Sequence, residues 1–431
     1  WSVLKRWIHA IFSASLRLGS MPAPWKIARI LPLRKPDKPD YTIPEAYRPI
    51  SLLSTLGKIL ELVVARRLSY WAETLGLLPT NQFGARPRRS CEQALLILTE
   101  SIKDAWRQRK VLSLVSFDVK GAYNGVPREV MADRLSRRGI PSSIVQWVQS
   151  FCSGRRATVV VNGFETEAMD IAFPGLPQGS PLSPVLYIFF NADLVDTDVD
   201  NQKGAVGFVD DYTRWTIGNS VEENMEVLQH EVVPRALRWA KDSGATFEGK
   251  KTSLIHFTHF RNSKKVAQPL QALRVGDAWV APSQAAKILG VVFDHELTFK
   301  EHAARAANRG WKSVQALARL RGVRPGTARQ LYAATVTARV DYAAAVWYSS
   351  HLSKTMPIWM RKLLAPIQQV AAKAITNCFR SVSGEAACAE ACILPVSARL
   401  SWKIAKFWVD IHTLPRSNLI WRYLDKITTR S

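Results

Sequence analysis

Apolar positions recur at helical spacing from the first residue, where Trp1, Leu4, Ile8, Ile11 and Phe12 mark one face of an amphipathic helix. A Pro- and Lys/Arg-rich stretch from Pro32 to Pro49, with Pro36, Pro39 and Pro44 inside it, reads as a loop. Beyond it, Leu52 to Trp71 and Ser90 to Arg109 carry helical periodicity, and Val111 to Val119 is rich enough in β-branched and apolar residues to be a buried strand. Ser142 to Phe151 predicts a short helix, opened by serines after Pro141 and stopped at Gly154. The run Thr158 to Val161, the pair Asn162-Gly163 and an outgoing segment from Phe164 predict a hairpin. Pro181 to Val195 looks helical, and Ala205 to Ile217 reads as two short strands hinged near Asp210-Asp211. Ser220 with Glu223 three residues on is a capping box that opens a long helix, which Pro234 is expected to kink. Thr252 to Thr258, Ala272 to Val280 and Lys287 to Phe293 are strand-like, and from Phe299 onward the pattern is helical almost throughout. The change near residue 296 predicts an α+β half over residues 1–296 and an all-helical half over residues 297–431.

The 431 residues are 47% hydrophobic and 22% charged, an ordinary globular balance in a chain long enough to bury a large core. Charge changes the picture. Against 35 Asp and Glu stand 59 Lys and Arg, a formal net charge of +24. Such an excess repels itself in a folded chain and points to a polyanionic partner. No apolar run approaches the roughly 18 residues that span a bilayer, so the partner expected is nucleic acid and not a membrane. Five cysteines are an odd count and suit a reduced protein. Cys378, Cys388 and Cys392 lie close together without a nearby His or C-x-x-C spacing, and read as small apolar residues, not zinc ligands. The chain starts at Trp1 and has no acidic residue before Asp37, which superficially matches a transit peptide. The helical spacing runs straight into folded-looking sequence, so an ordinary helix in a piece of a longer product is expected.

Candidate chemistry comes from acids placed where acids are disfavoured. Asp118 ends the apolar run Leu114-Val115-Ser116-Phe117, and Asp210 and Asp211 follow Val206-Gly207-Phe208-Val209. Aspartate is depleted from strands and costly to bury unless paired or holding a cation. Two such strands side by side would gather three carboxylates, a hard oxygen set suited to Mg²⁺ and, with two ions about 4 Å apart, to in-line phosphoryl displacement. Strand alternation lets only one of Asp210 and Asp211 face Asp118 unless the pair forms the hairpin turn itself. Asp210 is favoured as the bridging ligand. Taken alone, Val-Asp-Asp reads first as a solvated turn with an unrelated Asp118. Phe173 to Pro181 is a Gly- and Pro-bounded loop leading into a helix, able to approach a nucleotide closely, with Gln178 free to hydrogen-bond it.

Three stretches, Ser116-Phe117-Asp118 with Gly121-Ala122-Tyr123, Gly175-Leu176-Pro177-Gln178-Gly179-Ser180, and Phe208-Val209-Asp210-Asp211, resemble in order the central motifs of reverse transcriptases. Trp25-Lys26, Tyr47 to Leu52 and Asn81-Gln82-Phe83-Gly84 look like finger-region motifs of non-LTR (LINE-type) retrotransposon enzymes, and Lys251-Thr252 and Leu289-Gly290-Val291 like their downstream palm motifs. Phe208 to Trp215 is similar in wording to elements of filamentous fungi. The resemblance covers about residues 20–400. It implies a right-hand polymerase with an antiparallel palm sheet bearing helices on one face, interleaved fingers, and a helical thumb. The reaction implied is RNA-templated DNA synthesis from dNTPs on a primer 3′-hydroxyl.

The same resemblance implies roles. Asp118, Asp210 and Asp211 would hold two Mg²⁺ ions, and Tyr123 would be a steric gate against a ribose 2′-hydroxyl. Gln178 and Gly179 would touch nucleotide and template, Arg48 and Lys35 the triphosphate, and Lys251 the leaving pyrophosphate. Arg319, Arg321 and Arg324, with Arg329, form a basic cluster read as thumb contacts to phosphate. Partners implied are an RNA template and a DNA primer or target, and the element type implies nuclear action, with the mitochondrion as the other compartment. Val209 departs from the alanine of many relatives, an apolar exchange expected to be tolerated. The endonuclease and ribonuclease H parts usual in full elements have no counterpart in this sequence. Two rival readings remain: a non-catalytic nucleic-acid-binding remnant, and a group II intron-type maturase. The tryptophans Trp147, Trp239 and Trp347 sit in apolar helical patterns and are expected in the core.

Overall fold

The computed structural model describes residues 1–36, 38–173, 175–258, 271–320, 322–348 and 356–428. Pro174, His259 and Arg321 lie outside the described residues. The chain opens with the helix Leu4–Arg17, but its inward face differs from the predicted stripe. Phe12 packs edge-on against Trp25 at 5.9 Å, and Ser15 is buried, whereas Trp1, Leu4 and Ile11 face solvent.

Two large sheets organise the chain after this helix. In the first, β1 (Ile27–Arg34) pairs antiparallel with β2 (Tyr47–Leu52), so part of the Pro-rich stretch expected as loop is a strand pair. The second sheet is built around β3 (Val111–Phe117), which begins after the helix Cys91–Arg107. The chain then returns to the first sheet, where β4 (Arg156–Val161) lies parallel to β1 and carries β5 (Phe164–Glu165) and β6 (Met169–Asp170) antiparallel. The Asn162-Gly163 hairpin joins β4 to β5 as its sequence predicts.

The second sheet is completed by β7 (Lys203–Phe208), β8 (Asp211–Gly218) and β9 (Ser253–Phe257), in the order β7-β8-β3-β9 and antiparallel throughout. Both of its faces are buried, not one as expected. Val111, Val115 and Phe117 of β3 enter a core with the helices Arg128–Arg137, Ser142–Phe151 and Ser183–Phe190. Leu112 and Leu114 enter a second core on the opposite face, with the helix Cys91–Arg107 and the C-terminal helices. The near-continuous apolar run of β3 is what a strand covered on both sides requires. Trp147 and Trp347 are fully buried and Trp239 nearly so.

Helix boundaries follow local chemistry. Ser54, Ser90 and Ser220 accept from the backbone N–H groups of Gly57, Gln93 and Glu223, as N-caps. The long helix after Ser220 is not smooth: Val221–Val227 passes through a π turn, Leu228–Val232, into Val233–Ser243, with Pro234 in the first turn of that last segment. A widened turn there removes the demand for the N–H that proline lacks. Two stretches expected as single strands are hairpins: β10 (Leu273–Val275) with β11 (Ala278–Val280), and β12 (Ala285–Ile288) with β13 (Val291–Asp294). Gly276 and Gly290 turn them with positive φ, a signal that the apolar pattern masked.

From Lys300 the described chain is helical. These helices share the second core with β3, β8, β9 and β13, so the change of pattern near residue 296 is not a break in packing. Within them Asp341, fully buried, receives both arms of Arg399 at 2.8 and 3.0 Å, and Arg399 also donates to Tyr332 and Gln368. Asp341→Ala strands a buried guanidinium and is expected to destabilise the protein by about 3–5 kcal/mol. The double replacement Asp341→Leu with Arg399→Met should lose less; urea unfolding at pH 7 of both variants checks the difference.

Candidate active site

The site lies at one end of the second sheet. Phe117 is opposite Tyr212 at the last rung of the β3–β8 ladder, with Asp118 and Asp211 the next residue along each chain at that end. Phe208 pairs with Asp211, which leaves Val209 and Asp210 as a two-residue hairpin loop. Asp210 therefore sits in the turn and Asp211 at the first position of β8, so strand alternation does not part the two carboxylates. Each of Asp210 and Asp211 lies close enough to Asp118 to repel its charge.

Electrostatics follows from this crowding. Asp210 and Asp211 keep solvent-exposed surface, yet the protein mass gathered round the turn withholds water from their carboxyls. That dehydration first, then repulsion from the neighbouring aspartates, raises both and pushes Asp211 up to about 6. Lys287 on β12 opposes the shift at Asp211. Asp118 has its own cation, because Lys251 Nζ donates to Asp118 Oδ2 at 3.0 Å. Lys251 also donates to Glu248, whose backbone N–H in turn donates to the Asp118 carbonyl at 2.8 Å. Burial works against the Lys251 charge, but its bonds to Glu248 and Asp118 prevail and raise its pKa.

Tyr123 is half-buried beside the acids. Its ring stacks on Tyr187 at 5.3 Å, and burial followed by the Asp210 charge raises the pKa of its hydroxyl. A neutral, ring-backed phenol at that position is a wall and not a base. The Tyr123 carbonyl accepts from Leu176 N–H at 2.8 Å, which ties Tyr123 to the loop predicted to approach a nucleotide. In that loop, Gln178 O accepts from Ser51 N–H at 2.7 Å, joining it to β2. Gly179 has φ +132°, and a Cβ there would lie 2.4 Å from the Ser51 carbonyl oxygen, so no side chain fits. Ser180 donates to the fully buried Glu61 at 2.5 Å, which anchors the loop from beneath.

A cationic group faces the acids from the first sheet. Lys35, at the end of β1, is lowered by burial first and then by repulsion from Lys251, Lys38 and Arg48. The four bases therefore share one neighbourhood, with Lys251 the member that also touches Asp118. Arg319, Arg324 and Arg329 are exposed around the end of the helix Lys300–Arg319 and the start of Pro325–Leu331. The structure thus gathers Asp118, Asp210, Asp211, Tyr123 and Lys251 at one place, with Gln178 and Gly179 held against Ser51 in the loop that is tied to Tyr123, and Lys35 and Arg48 in the neighbourhood of Lys251.

Among the described residues no three His, Cys, Asp or Glu side chains form a ready-made metal cage. Magnesium does not need one, since it binds through one or two carboxylates together with waters and substrate phosphates. Dehydrated, mutually repelling carboxylates at Asp210 and Asp211 are a donor set that a divalent cation would neutralise, so the residues fit such an ion.

Sequence reading missed Glu248, although Glu three residues before Lys is a recognisable pairing. It also missed Asn191, a polar residue inside the apolar run Val185 to Val195, and Tyr187, whose helical position shows no contact to Tyr123 until the fold is known.

Residues 33–293 match the family model described as reverse transcriptase (RNA-dependent DNA polymerase). The chain is 31% identical over 317 residues to a probable RNA-directed DNA polymerase from transposon BS of Drosophila melanogaster, covering 72% of this chain and 34% of that protein. It is 27% identical to a probable RNA-directed DNA polymerase from the X-element of the same fly, over 69% of this chain and 32% of the relative. The polymerase of the mobile element jockey from that species is also 27% identical, over 69% and 32%. The chain therefore spans about a third of the length of these curated relatives. Among solved structures it is similar to apo telomerase from Candida tropicalis, at 12% identity and a TM-score of 0.46, covering 87% of this chain and 68% of that one.

The basic group predicts affinity for polyphosphate. Tripolyphosphate titrated into the protein by calorimetry should bind, more weakly as salt rises. Arg48→Ala should weaken binding about tenfold, the size of one charge-assisted hydrogen bond.

Proposed function

The chain belongs to the reverse transcriptase family, and on that premise we propose that it is the polymerase part of a non-LTR retrotransposon, making DNA on an RNA template. One observation carries the reading: an aspartate trio is joined through Lys251 to a group of bases, with a ring-backed tyrosine beside Asp210. A nucleoside triphosphate, anionic along its phosphates and bulky at its sugar, is complementary to that arrangement. The wording of Phe208 to Trp215 supports an element from a filamentous fungus, and the element type supports action in the nucleus.

In this reading the second sheet is the palm, and the first sheet belongs to the fingers. The division falls at about residue 296, with the helices beyond it forming a thumb and a C-terminal extension. Asp118, Asp210 and Asp211 would hold two Mg²⁺ ions, which when bound supply Lewis acidity toward the attacking hydroxyl and the leaving pyrophosphate. The other steps belong to the chain itself. Lys35 and Arg48 bind the triphosphate and fix its phosphates against the acids. Tyr123, held by Tyr187 and by the bond from Leu176, occupies the space that a ribose 2′-hydroxyl needs. The backbone at Gln178 and Gly179, pinned to Ser51, sets the position of the templated base pair. Lys251, protonated and within reach of the phosphates once released from Asp118, holds a proton for the departing oxygen. Arg319 and Arg324 contact the phosphates of the primer–template duplex, a sequence-independent grip.

Asp210→Asn is expected to reduce primer extension on an RNA template by at least about a thousandfold, several kcal/mol at the transition state, while RNA affinity stays within about twofold. Undiminished extension by that variant overturns the assignment; RNA binding without incorporation by the unsubstituted protein would instead favour a non-catalytic binding protein. Tyr123→Ala should cut discrimination between dCTP and CTP roughly tenfold or more, the worth of one steric exclusion. Single-nucleotide incorporation kinetics with both substrates measure it.

A further inference from the structure

The turn that carries Asp210 and Asp211 is held in a conformation its sequence does not favour. Val209 has φ +57°, in the left-handed region. A β-branched residue is a clear outlier there, at the loop position where such a hairpin turn ordinarily carries glycine. Strain of this kind persists only where the surroundings over-determine it. Three neighbours do so.

Asn191 Nδ2 donates to the Val209 carbonyl oxygen at 2.5 Å. Gln82 Nε2 donates to Asn191 Oδ1 at 3.3 Å, and Gln82 Oε1 accepts from Gly84 N–H at 3.1 Å. Gly84 is packed so closely on the turn that a Cβ there would fall 2.2 Å from Val209 N. The segment Asn81–Gly84 runs as a strap along β7: Gly207 N–H donates to Asn81 O at 3.0 Å, and Phe83 N–H to Gly207 O at 2.7 Å. Asn81 secures the strap by donating to the carbonyls of Val195 and Ala205 at 2.8 and 3.0 Å. Asn81, Gln82 and Asn191 are all but fully buried, so these bonds do not exchange with water.

Asn191 itself stands at the break between the helices Ser183–Phe190 and Ala192–Val195. The first of these helices follows the loop that carries Gln178 and Gly179. One amide thus links that helix to the peptide leading into Asp210.

We propose that Asn191, braced by Gln82, is a positioning residue that clamps the Val209 carbonyl and so keeps the strained turn aiming Asp210 and Asp211 at Asp118. This rests on the polymerase reading for its consequence in catalysis, but the geometry it concerns is readable by cation binding alone. Without the clamp Val209 relaxes to negative φ, and the two carboxylates turn away from the third. Glycine at 209 adopts positive φ freely and needs no clamp.

The test uses Mn²⁺ as the probe, titrated into the protein and followed by the electron paramagnetic resonance of the free ion, beside single-nucleotide incorporation. Asn191→Ala should weaken Mn²⁺ binding about tenfold and lower kcat about 10–100-fold, the usual effect of losing a group that orients ligands. KM for dNTP should stay within about twofold, because the bases that hold the triphosphate are untouched. Val209→Gly placed in Asn191→Ala should restore both quantities to within about threefold of the unsubstituted protein. A merely structural role for Asn191 moves the unfolding midpoint alone, and Val209→Gly then rescues nothing; either result overturns the inference, as does absence of Mn²⁺ binding by the unsubstituted protein. Should Asn191→Ala not fold, Asn191→Ser, whose hydroxyl retains a donor, is expected to show a smaller loss of the same sign, with no loss counting against the clamp. Protein that binds Mn²⁺ in this pattern but incorporates no dNTP sinks the polymerase reading and leaves the clamp standing.

Discussion

Antiparallel pairing of β3 with β8 forces negative charges together, and most of the site is a response to that constraint. The register cannot slip, because a one-residue shift would exchange the residues of β3 between two different apolar cores. Hydrophobic burial on both faces of the sheet thus holds Asp118 near Asp210 and Asp211, although the carboxylates repel. The strand pairing is stable because of what lies behind the acids, not because of the acids.

That repulsion gives the site its polarity. Lys251 pairs with Asp118, Lys287 tempers Asp211, and Lys251, Lys38 and Arg48 crowd Lys35. Like charges crowded at Asp210 and Asp211 and again around Lys35 are relieved by a molecule that brings cations to the acids and anionic phosphates to the bases. The loop from Leu176 to Ser180 joins β2 to Tyr123 through backbone hydrogen bonds at Ser51 and Tyr123 and is anchored on the buried Glu61 carboxyl.

Much of this was legible in the amino acids themselves. Acids at the ends of apolar strands announced the trio, and Ser220 with Glu223 announced its helix, because capping depends on neighbours along the chain. Val209 shows the limit. An apolar exchange for alanine looks harmless as composition, yet the residue sits at positive φ, where shape and not polarity decides its behaviour. The hairpins at Gly276 and Gly290 were missed for a related reason: apolar residues on both sides of each turn made two short strands look like one. Burial of the second sheet on both faces was written into β3 but is decided by helices that arrive nearly two hundred residues later, beyond the reach of any local pattern.

The rear core carries a consequence for how such chains can diverge. Phe257 and Phe293 of the sheet region share one apolar interior with Trp347, Leu364 and Leu424, while Ser101 meets Tyr423 at 3.1 Å across that interior. The C-terminal helices are therefore a wall of the sheet-bearing half as well as an appendage to it. Recombination that exchanged them between distant elements would uncover a broad oily surface unless the replacement matched it side chain for side chain. Descent in this lineage should accordingly keep the two halves together as a single heritable block.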